Sequence, residues 1–439
     1  MTASEKFRVG IDGFNLALPR GTGVATYART LSFALRQMHH PVDVLFGMHI
    51  SRRMAPDLRE VVFFNSFGQA DTRKKRVPLT LPWWRDQVTY LRGNDAVEVP
   101  MADRVEQRQF SDRMPAYDRI LNCPAVFQRA SRYFRRTGRC LTVTVPNSPK
   151  IMHWTYPLPI RVRNSINIYT IHDLVPLRFP NTTLDDKGYY FRLIKMLTET
   201  SDGIATVSEA SKKEILSFFP HVENKTYNTY QSFVRDQESD SRPLAETIKE
   251  VRGVFDLEPH SYFIFFGSLE PKKNIGRIIE AFLSADTNRQ MVLVGAMAWK
   301  NEHELRFLQR GIECNRIISI EYLPKLALHS LIRNARAVVF PSLAEGFGLP
   351  ILEAMSFGVP VMTSKETAIP EVAGKAALYV DAYDVSSITQ GFERLDRDDE
   401  LCQSLQEMGT KQAQNFDMKK FEDRLDSMYR QIIAANPTI

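Results

Sequence analysis

The sequence is poor in cysteine and has no long apolar run. Four of its 439 residues are cysteines: Cys123, Cys140, Cys314 and Cys402. No two of them have the C-x-x-C spacing of a zinc or redox motif, so reduced thiols are expected, as in the cytoplasm. No stretch approaches about 18 apolar residues, and Met1–Gly10 lacks the apolar core of a signal peptide. A cytoplasmic protein is therefore expected, with at most peripheral contact at the inner face of a membrane.

Patterns for metals and resident cofactors are also missing. No D-x-D pair stands in a suitable context, and no His/Cys cluster has the spacing of metal ligands. The sequence shows no internal repeat of fixed period and no low-complexity tract. We therefore expect no metal site, no cofactor and no repeat architecture.

The excess of positive charge is small. There are 57 Lys and Arg residues against 51 Asp and Glu, which gives a formal net charge of +6. Such a balance suits nucleic acid, an anionic membrane or a phosphorylated substrate, and a solvated basic surface explains it equally well. Only the arginine-rich stretch from Arg104 to Arg139 adds to the case, so nucleic acid is not expected. An anionic membrane surface stays a possible partner of this stretch.

The chain opens with a strand, a glycine-containing loop and a helix, at Phe7–Asp12, 13–23 and Val24–Met38. This order predicts the first unit of a doubly wound domain. Val42–Phe46 and Val61–Phe64 are predicted to be short strands. Residues 51–149 have weak periodicity, which indicates an insertion or a helical, acceptor-side part of the first domain.

A polar run at 237–243 predicts a linker between two domains, 1–243 and 244–418. Beyond it, apolar strands alternate with helices, which favours a buried parallel sheet. The predicted strands are 262–266, 290–294, 316–320, 337–340 and 359–363. Ligands of such sheets bind at the carboxyl ends of strands. Residues 419–439 are expected to form a last helix that crosses back to the first domain.

The segment EGFGLPILE, Glu345–Glu353, carries the sharpest functional signal. Gly346 and Gly348 allow a ligand to approach the backbone closely, and Pro350 suits the first turn of a helix. The amides of that helix start form a natural anion site. Glu345 lies before the loop and Glu353 about one turn into the helix, so both carboxylates can reach the cleft.

This segment resembles the E-x7-E motif of retaining glycosyltransferases of family four. The resemblance covers roughly 261–371 and implies an α/β protein of the GT-B fold, with two Rossmann-like, doubly wound domains facing each other across a cleft. It implies that Glu345 orients the donor sugar and that Glu353 lies near the ribose hydroxyls. Donor contacts are also implied for Gly346, Phe347, Gly348 and Leu349.

Other segments match the same family. FGSLEPKKN, at 266–274, resembles its G-[ST]-x-E-P-R-K-N segment, which implies donor contacts for Gly267 and Lys272 and makes Lys273 the cation that neutralises the departing diphosphate. Lys272 stands where arginine is more usual, so a charge remains but bidentate geometry is lost. The pair His172-Asp173 at a strand end resembles the family's H-[DE] pair, whose histidine contacts the donor sugar.

Two weaker matches complete the predicted site. Gly21 and Gly23 resemble the N-terminal glycine loop of the family, and Tyr322-Leu323 lies where its base-binding loop lies. Ser208–Ser211 resembles a helix start common in the family, although a simple helix cap explains it equally well. Thr363–Pro370 and the following Glu371 are interpreted as fold markers.

The predicted function is therefore a retaining, metal-independent transfer of a sugar from a nucleotide-sugar to a glycan or lipid-linked acceptor in surface polysaccharide biosynthesis. GSLEPKKN and HDLVP resemble bacterial mannosyltransferases, which favours GDP-mannose as the donor. Two alternatives remain open. One is a sugar-nucleotide epimerase or phosphorylase-like enzyme on the same fold, and the other is a degenerate GT-B protein that serves as a binding scaffold.

Overall fold

The structure is a computed structural model. It describes residues 6–18, 23–51, 53–67, 94–102, 104–110, 113–233, 241–296 and 306–437. Gly21, one of the predicted donor contacts, lies outside these ranges.

The described chain alternates strands and helices. The strands are β1 (Val9–Asp12), β2 (Val42–Phe46), β3 (Val97–Val99), β4 (Arg119–Asn122), β5 (Leu141–Val143), β6 (Ile151–Trp154), β7 (Ile160–Val162), β8 (Ile166–Thr170), β9 (Gly203–Thr206), β10 (Thr226–Asn228), β11 (Tyr262–Phe266), β12 (Gln290–Val294), β13 (Ile317–Ile320), β14 (Ala337–Phe340), β15 (Val361–Ser364) and β16 (Leu378–Val380).

The α-helices are α1 (Gly23–Gln37), α2 (Pro56–Ser66), α3 (Val126–Thr137), α4 (Val175–Arg178), α5 (Lys187–Thr200), α6 (Glu209–Phe218), α7 (Leu244–Phe255), α8 (Ile275–Ser284), α9 (Leu308–Glu313), α10 (Lys325–Arg333), α11 (Leu349–Ser356), α12 (Ile369–Ala373), α13 (Val385–Arg397), α14 (Asp399–Ala413) and α15 (Met418–Ala435).

The first half of the chain builds an eight-stranded sheet in the order β10-β9-β8-β6-β1-β2-β4-β3. Every pairing is parallel except that between β3 and β4. The order changes direction at β1, which lies between β2 and β6. Such a switch point opens a crevice at the carboxyl ends of the two central strands, here β1 and β6.

The second half builds a six-stranded, fully parallel sheet in the order β13-β12-β11-β14-β15-β16. Counted from β11, this is the order 3-2-1-4-5-6 of dinucleotide-binding domains. Its central strands read YFIFF and AVVF, and every residue of both is buried. Continuous apolar strands suit a sheet covered by helices on both faces. The switch point lies between β11 and β14.

The described part of residues 51–149, interpreted as an insertion or a helical, acceptor-side part of the first domain, contains helices α2 and α3 as well as strands. It supplies β3 and β4, which extend the first sheet beyond β2, and β5, which pairs with β7 in a small separate sheet. The predicted strand Val61–Phe64 is wrong, because this segment lies inside α2, which begins at Pro56. A short apolar run fits either structure when read alone, and here the buried phenylalanines Phe63 and Phe64 pack from a helix.

The last helix, α15, packs on the first sheet. Tyr429 lies 2.7 Å, through its hydroxyl, from Nδ1 of His153 on β6, and a Cβ at Gly203 of β9 would meet Ile432. Both Tyr429 and His153 are fully buried. The chain therefore leaves the second sheet and returns to the first, which ties the two domains together at a second point beyond the linker.

Candidate active site

The site begins at the switch point of the second sheet, where the loops after β11 and β14 meet. The amide of Leu343 donates to the carbonyl of Lys272 at 2.8 Å, which joins the two loops. Gly267 leaves β11 with φ +132, a backbone conformation that side chains disfavour. Its carbonyl oxygen would lie 1.8 Å from a Cβ at Gly295, so the loops after β11 and β12 are too close for any side chain at position 295.

Two of the predicted catalytic residues face each other across these loops. Nζ of Lys273 lies 2.6 Å from Oε1 and 2.8 Å from Oε2 of Glu345. Only 14% of the lysine side chain and 8% of the glutamate side chain are exposed. Nζ also lies 4.9 Å from the ring centre of Phe340. The pair is therefore held with little solvent screening, where its interactions with a charged ligand are strong.

Two residues that sequence reasoning did not single out hold this pair in place. The Thr367 hydroxyl bonds both the amide and the carbonyl of Glu345, at 2.8 and 2.9 Å. The Asn274 side-chain amide donates to the carbonyls of Pro341 and Ala382. Both residues have positive φ, +49 and +65. Asn is among the residues that tolerate this region, which is a signal the sequence did carry.

Lys272 lies beside the pair and faces several carboxylates. Its Nζ is 3.6 Å from Oε2 of Glu270. Burial alone would lower the pKa of Lys272, but the carboxylates of Asp173, Glu270 and Glu345 together raise it above its ordinary value. Lys272 therefore stays charged at neutral pH, and the site presents two adjacent cations to a ligand.

The amino end of α11 opens into the same loops. Gly348 precedes the helix with φ +105, and Leu349 is its first residue. The amides of a helix start have no acceptors within the helix and favour anions. Phe347 was predicted to contact the donor, but its side chain is buried and packs on Phe416 at 5.4 Å. Only its backbone is left to face the cleft.

Glu353, the second glutamate of the motif, lies within α11 and pairs with a histidine. Nε2 of His329 donates to Oε1 of Glu353 at 3.0 Å. His329 belongs to α10 and is buried, while 16% of the Glu353 side chain is exposed. The contact holds one carboxylate oxygen, and the contact of Glu353 with ribose hydroxyls stays a prediction. His329 was not predicted, because nothing in the sequence indicates that α10 packs here.

His172 and Asp173 follow β8 and face these loops from the first domain. The Nε2 atom of His172 lies 2.8 Å from the carbonyl oxygen of Thr155, so this nitrogen carries a hydrogen and donates. Burial lowers the pKa of His172. The ring is therefore neutral near pH 7, and its Nδ1 is an acceptor. The predicted sugar contact is then open to Nδ1 or to the backbone, since Nε2 is occupied.

The two domains touch at this point with no room for a side chain. A Cβ at Gly346 would lie 2.6 Å from the carbonyl oxygen of His172. The hydroxyl of Ser211, in the first turn of α6, donates to that same carbonyl at 2.7 Å and lies 3.3 Å from the carbonyl of Gly346. The predicted motifs of the two domains are therefore in direct contact.

A second contact between the domains was not predicted. The carboxylate of Glu371, from α12, accepts from the amides of Glu209 and Ala210 at 2.8 and 2.6 Å. These amides start α6, whose cap is Ser208. A carboxylate at a helix amino end is stabilised by the amides and the helix dipole. Glu371, interpreted as a fold marker, therefore joins the second domain to the first.

Comparison with known proteins identifies the family. Residues 248–412 match the family described as glycosyl transferases group 1. Over 280 residues the chain is 31% identical to O-antigen chain mannosyltransferase B of Escherichia coli, covering 62% of this chain and 72% of that protein. The chain belongs to the group 1 glycosyl transferases. The resemblance of EGFGLPILE to this class of enzyme is thus confirmed.

Two further comparisons extend this result. Serotype-specific mannosyltransferase WbdA of Escherichia coli is 28% identical over 253 residues, which are 56% of this chain but only 31% of that protein. Sucrose-phosphate synthase from Thermosynechococcus elongatus superposes with a TM-score of 0.64 at 16% identity, covering 98% of this chain and 100% of that one. The predicted GT-B fold is confirmed.

The remaining predicted contacts of this glycosyltransferase lie at the edges of the site. Gly23 is the exposed first residue of α1, and a Cβ there would meet no atom within 4 Å. Tyr322, 73% exposed, and the half-buried Leu323 follow β13, two strands from β11. At about 4.8 Å per strand they stand roughly 10 Å from the switch point. Their role as base contacts stays a prediction.

The described residues contain neither a cluster of metal ligands nor a helix that could span a membrane. No group of three or more His, Cys, Asp or Glu side chains could hold a metal ion there. No described helix is long and apolar enough to cross a membrane.

Proposed function

We propose that this glycosyltransferase transfers mannose from GDP-mannose to a glycan or lipid-linked acceptor in surface polysaccharide biosynthesis, with retention of configuration and without a metal ion. The observation that carries the proposal is the buried Lys273–Glu345 pair at the switch point, beside the amino end of α11 and opposite the neutral His172. The mannosyl donor is supported by the names of the relatives, which are mannosyltransferases.

In this mechanism the protein stabilises the departing diphosphate by fixed positive charge. Lys272 and Lys273 stand side by side, and the first-turn amides of α11 point into the same loops. Fixed cations and dipoles aimed at developing charge are usually the largest contribution to catalysis. When the diphosphate binds, it competes with Glu345 for Lys273 and releases the carboxylate toward the sugar.

Glu345 acts here as an orienting group rather than as a nucleophile. Retaining glycosidases place two carboxylates on either side of the scissile bond, whereas Glu345 is paired with a lysine on its own side of the cleft. The neutral His172 offers Nδ1 as an acceptor for a sugar hydroxyl. A front-face displacement follows, in which a phosphate oxygen of the leaving group takes the acceptor proton. The close contact of the domains excludes water from the transfer.

The proposed independence of a metal rests on this cluster of cations. Two lysines and a helix start supply the charge that Mg²⁺ provides in other nucleotide enzymes. Activity that persists in excess EDTA is the expected result. If activity is lost in EDTA and restored by Mg²⁺, the metal-independent mechanism is wrong.

We also propose a peripheral position at the cytoplasmic face of an anionic membrane, with no nucleic-acid partner. Helix α3 buries Val126, Phe127, Ala130 and Phe134, and its last turn ends in the exposed Arg135 and Arg136. Such a helix presents basic charge on the side away from the core. Vesicles of phosphatidylglycerol are expected to retain the protein at low salt and release it at high salt, whereas vesicles of phosphatidylcholine are not.

The test of the transferase is nucleotide release from separate donors. GDP-mannose, UDP-glucose, UDP-galactose, UDP-N-acetylglucosamine and dTDP-rhamnose would each be offered with lipid-linked and simple sugar acceptors. Release from GDP-mannose alone, lost in Lys273→Ala and Glu345→Ala, is the expected result. Release from a different donor would overturn the mannosyl assignment.

The same assay separates the alternatives. An epimerase converts the donor without any acceptor, and a phosphorylase-like enzyme requires inorganic phosphate. A scaffold would bind nucleotide without turnover. Acceptor-dependent release of nucleotide is expected only of the transferase.

A further inference from the structure

A pocket of about 210 Å³ lies in the first domain, separate from the lysine cluster. Its walls include Phe14, from the loop after β1, and Tyr156, from the loop after β6. These are the two strands that flank the switch point of the first sheet, where such sheets bind ligands. Its remaining wall comes from α3, which contributes Arg135, and from the start of α5 and the loop before it, which contribute Tyr189 and Asp185.

The pocket adjoins the reaction centre. Tyr190, which also lines it, donates its hydroxyl to the carbonyl of Asp173 at 2.9 Å. Thr155, the neighbour of Tyr156, accepts from His172 through its carbonyl. Burial raises the pKa of Tyr156 to about 12, and the charges of Asp185 and Asp173 add to this effect. The phenol of Tyr156 therefore lies within reach of charges from both the pocket and the reaction centre.

The pocket is also built to hold its shape. The buried carboxylate of Asp12 accepts from the amide and the hydroxyl of Thr155, at 2.5 and 2.9 Å, and from the amide of Phe14 at 3.2 Å. One carboxylate thus fixes both loops that carry the aromatic walls. The rings of Phe14 and Tyr156 are stacked, with centres 6.2 Å apart and planes at 28°.

Some polar groups of the pocket have partners within the protein, and others have none among the described residues. Asp186 caps α5 and lies 3.7 Å from Arg135, whose guanidinium stacks on Tyr189 at 4.6 Å. Asp185, in contrast, is exposed at the pocket wall and makes no ion pair with another described residue. The described residues also offer no hydrogen-bond partner to the Tyr156 hydroxyl. A carboxylate and a phenol are thus available to a ligand.

We propose that this pocket binds the terminal sugar of the acceptor, and that it selects an uncharged sugar. This assignment of the acceptor rests on the proposed transferase function. Pockets that hold drug-sized ligands have volumes of about 300–1,000 Å³. A pocket of about 210 Å³ therefore suits one sugar ring rather than a nucleotide. Aromatic rings and carboxylates recognise the apolar face and the hydroxyls of a sugar. The two carboxylates of the wall, Asp185 and Asp186, outnumber its one guanidinium, Arg135, so a terminal phosphate or carboxylate is disfavoured.

The test measures acceptor use and donor breakdown separately. The probes are methyl α-mannoside, methyl α-glucoside, methyl β-galactoside and mannose 6-phosphate, each at millimolar concentration with GDP-mannose. A neutral glycoside is expected to accept sugar and the phosphate to be rejected. In Asp185→Asn and Tyr156→Phe the KM for the acceptor is expected to rise about tenfold, as for the loss of one hydrogen bond to a ligand. In Asp185→Asn, the difference in KM between the neutral glycoside and mannose 6-phosphate is also expected to become smaller.

Slow release of GDP without acceptor is the reference reaction, and it is measured for each variant so that a change in acceptor KM is separated from any change in donor turnover. Asp423→Asn, an exposed aspartate on α15, is the matched control and keeps the wild-type KM. The pocket assignment is wrong if mannose 6-phosphate is preferred, if no neutral glycoside is used, or if both variants keep the wild-type acceptor KM. Absence of GDP release from the wild type in every condition would instead refute the proposed donor reaction.

Discussion

The contact between Gly346 and His172 predicts that one added methyl group disables transfer without unfolding either domain. An ideal Cβ at Gly346 lies 2.6 Å from the carbonyl oxygen of His172, and ordinary contact begins at 3.4 Å. The obstacle is backbone, which cannot turn aside as a flexible side chain can. In Gly346→Ala the domains must therefore separate by about 0.8 Å at this point, because atoms repel steeply below contact distance.

The expected consequence follows from where the separation occurs. It lies between Glu345 on one side and His172 on the other, so the donor sugar loses its alignment between the two domains. A misplacement of about 1 Å typically costs about 100-fold in rate, so we expect kcat/KM to fall about 10- to 100-fold. Steady-state kinetics with a saturating acceptor measures this loss, and thermal unfolding checks that the fold is retained.

A matched control comes from Gly253, inside α7, where a Cβ would meet no atom within 4 Å. Gly253→Ala is expected to keep the wild-type kcat/KM and to gain about 1 kcal/mol of stability, since alanine favours a helix. Wild-type kcat/KM in a folded Gly346→Ala variant would refute the reasoning. It would mean that the domains do not meet at Gly346 during transfer.

Three other predictions concern charge. Lys273→Met leaves the buried Glu345 carboxylate without its lysine and should lower the free energy of unfolding by about 3 kcal/mol, much of which the double variant with Glu345→Leu recovers. Both variants are expected to be inactive. If the single variant is as stable as the wild type, the pair is solvated and the reasoning is wrong. Glu371→Gln removes the negative charge at the amino end of α6, so kcat/KM should fall about 2- to 5-fold, which corresponds to about 0.5–1 kcal/mol. High salt should reduce the difference in kcat/KM between variant and wild type. An unchanged kcat/KM at low salt would show that this contact does not help to hold the two domains together during transfer. Burial lowers the pKa of His153 to about 3, so the unfolded state binds its proton first and the wild type loses stability as pH falls from about 6.5 toward 3. His153→Gln lacks this loss, so the gap in Tm between wild type and variant should shrink from pH 7 to pH 5; the variant is the necessary reference because burial raises the pKa of Asp12 to about 6, which gives the opposite slope between about 4 and 6.

Much of the second domain could be predicted because its signals are local. Apolar strands that end at a glycine mark β11 and β12, and the segment EGFGLPILE indicates a loop, a helix start and two carboxylates by its spacing alone. The pairing of Lys273 with Glu345 could not be predicted in the same way. These residues are 72 positions apart, and only the strand order β11-β14 brings their loops together.

The first domain was harder to predict for a related reason. Strand β4, RILN, has four residues, of which only two are apolar, so its pattern is too short to separate it from a loop. The VVFF run in α2 has the composition of a strand and lies in a helix. Phe14, Tyr156 and Asp185 are isolated residues in loops with no shared motif. Their proximity follows from the positions of β1, β6 and α5.

The arrangement of the site explains why its parts lie on two domains. The second domain holds Lys272 and Lys273, the cations proposed for the diphosphate, and the first holds the neutral His172 and the pocket proposed for the acceptor. Thr155 links these first-domain parts, since its amide is fixed by Asp12 and its carbonyl by His172. The carbonyl of His172 in turn meets Ser211 and Gly346. The distance between acceptor and donor is therefore set by backbone groups at one contact between the domains. In the proposed reaction, both substrates are therefore aligned only while the domains touch at this point.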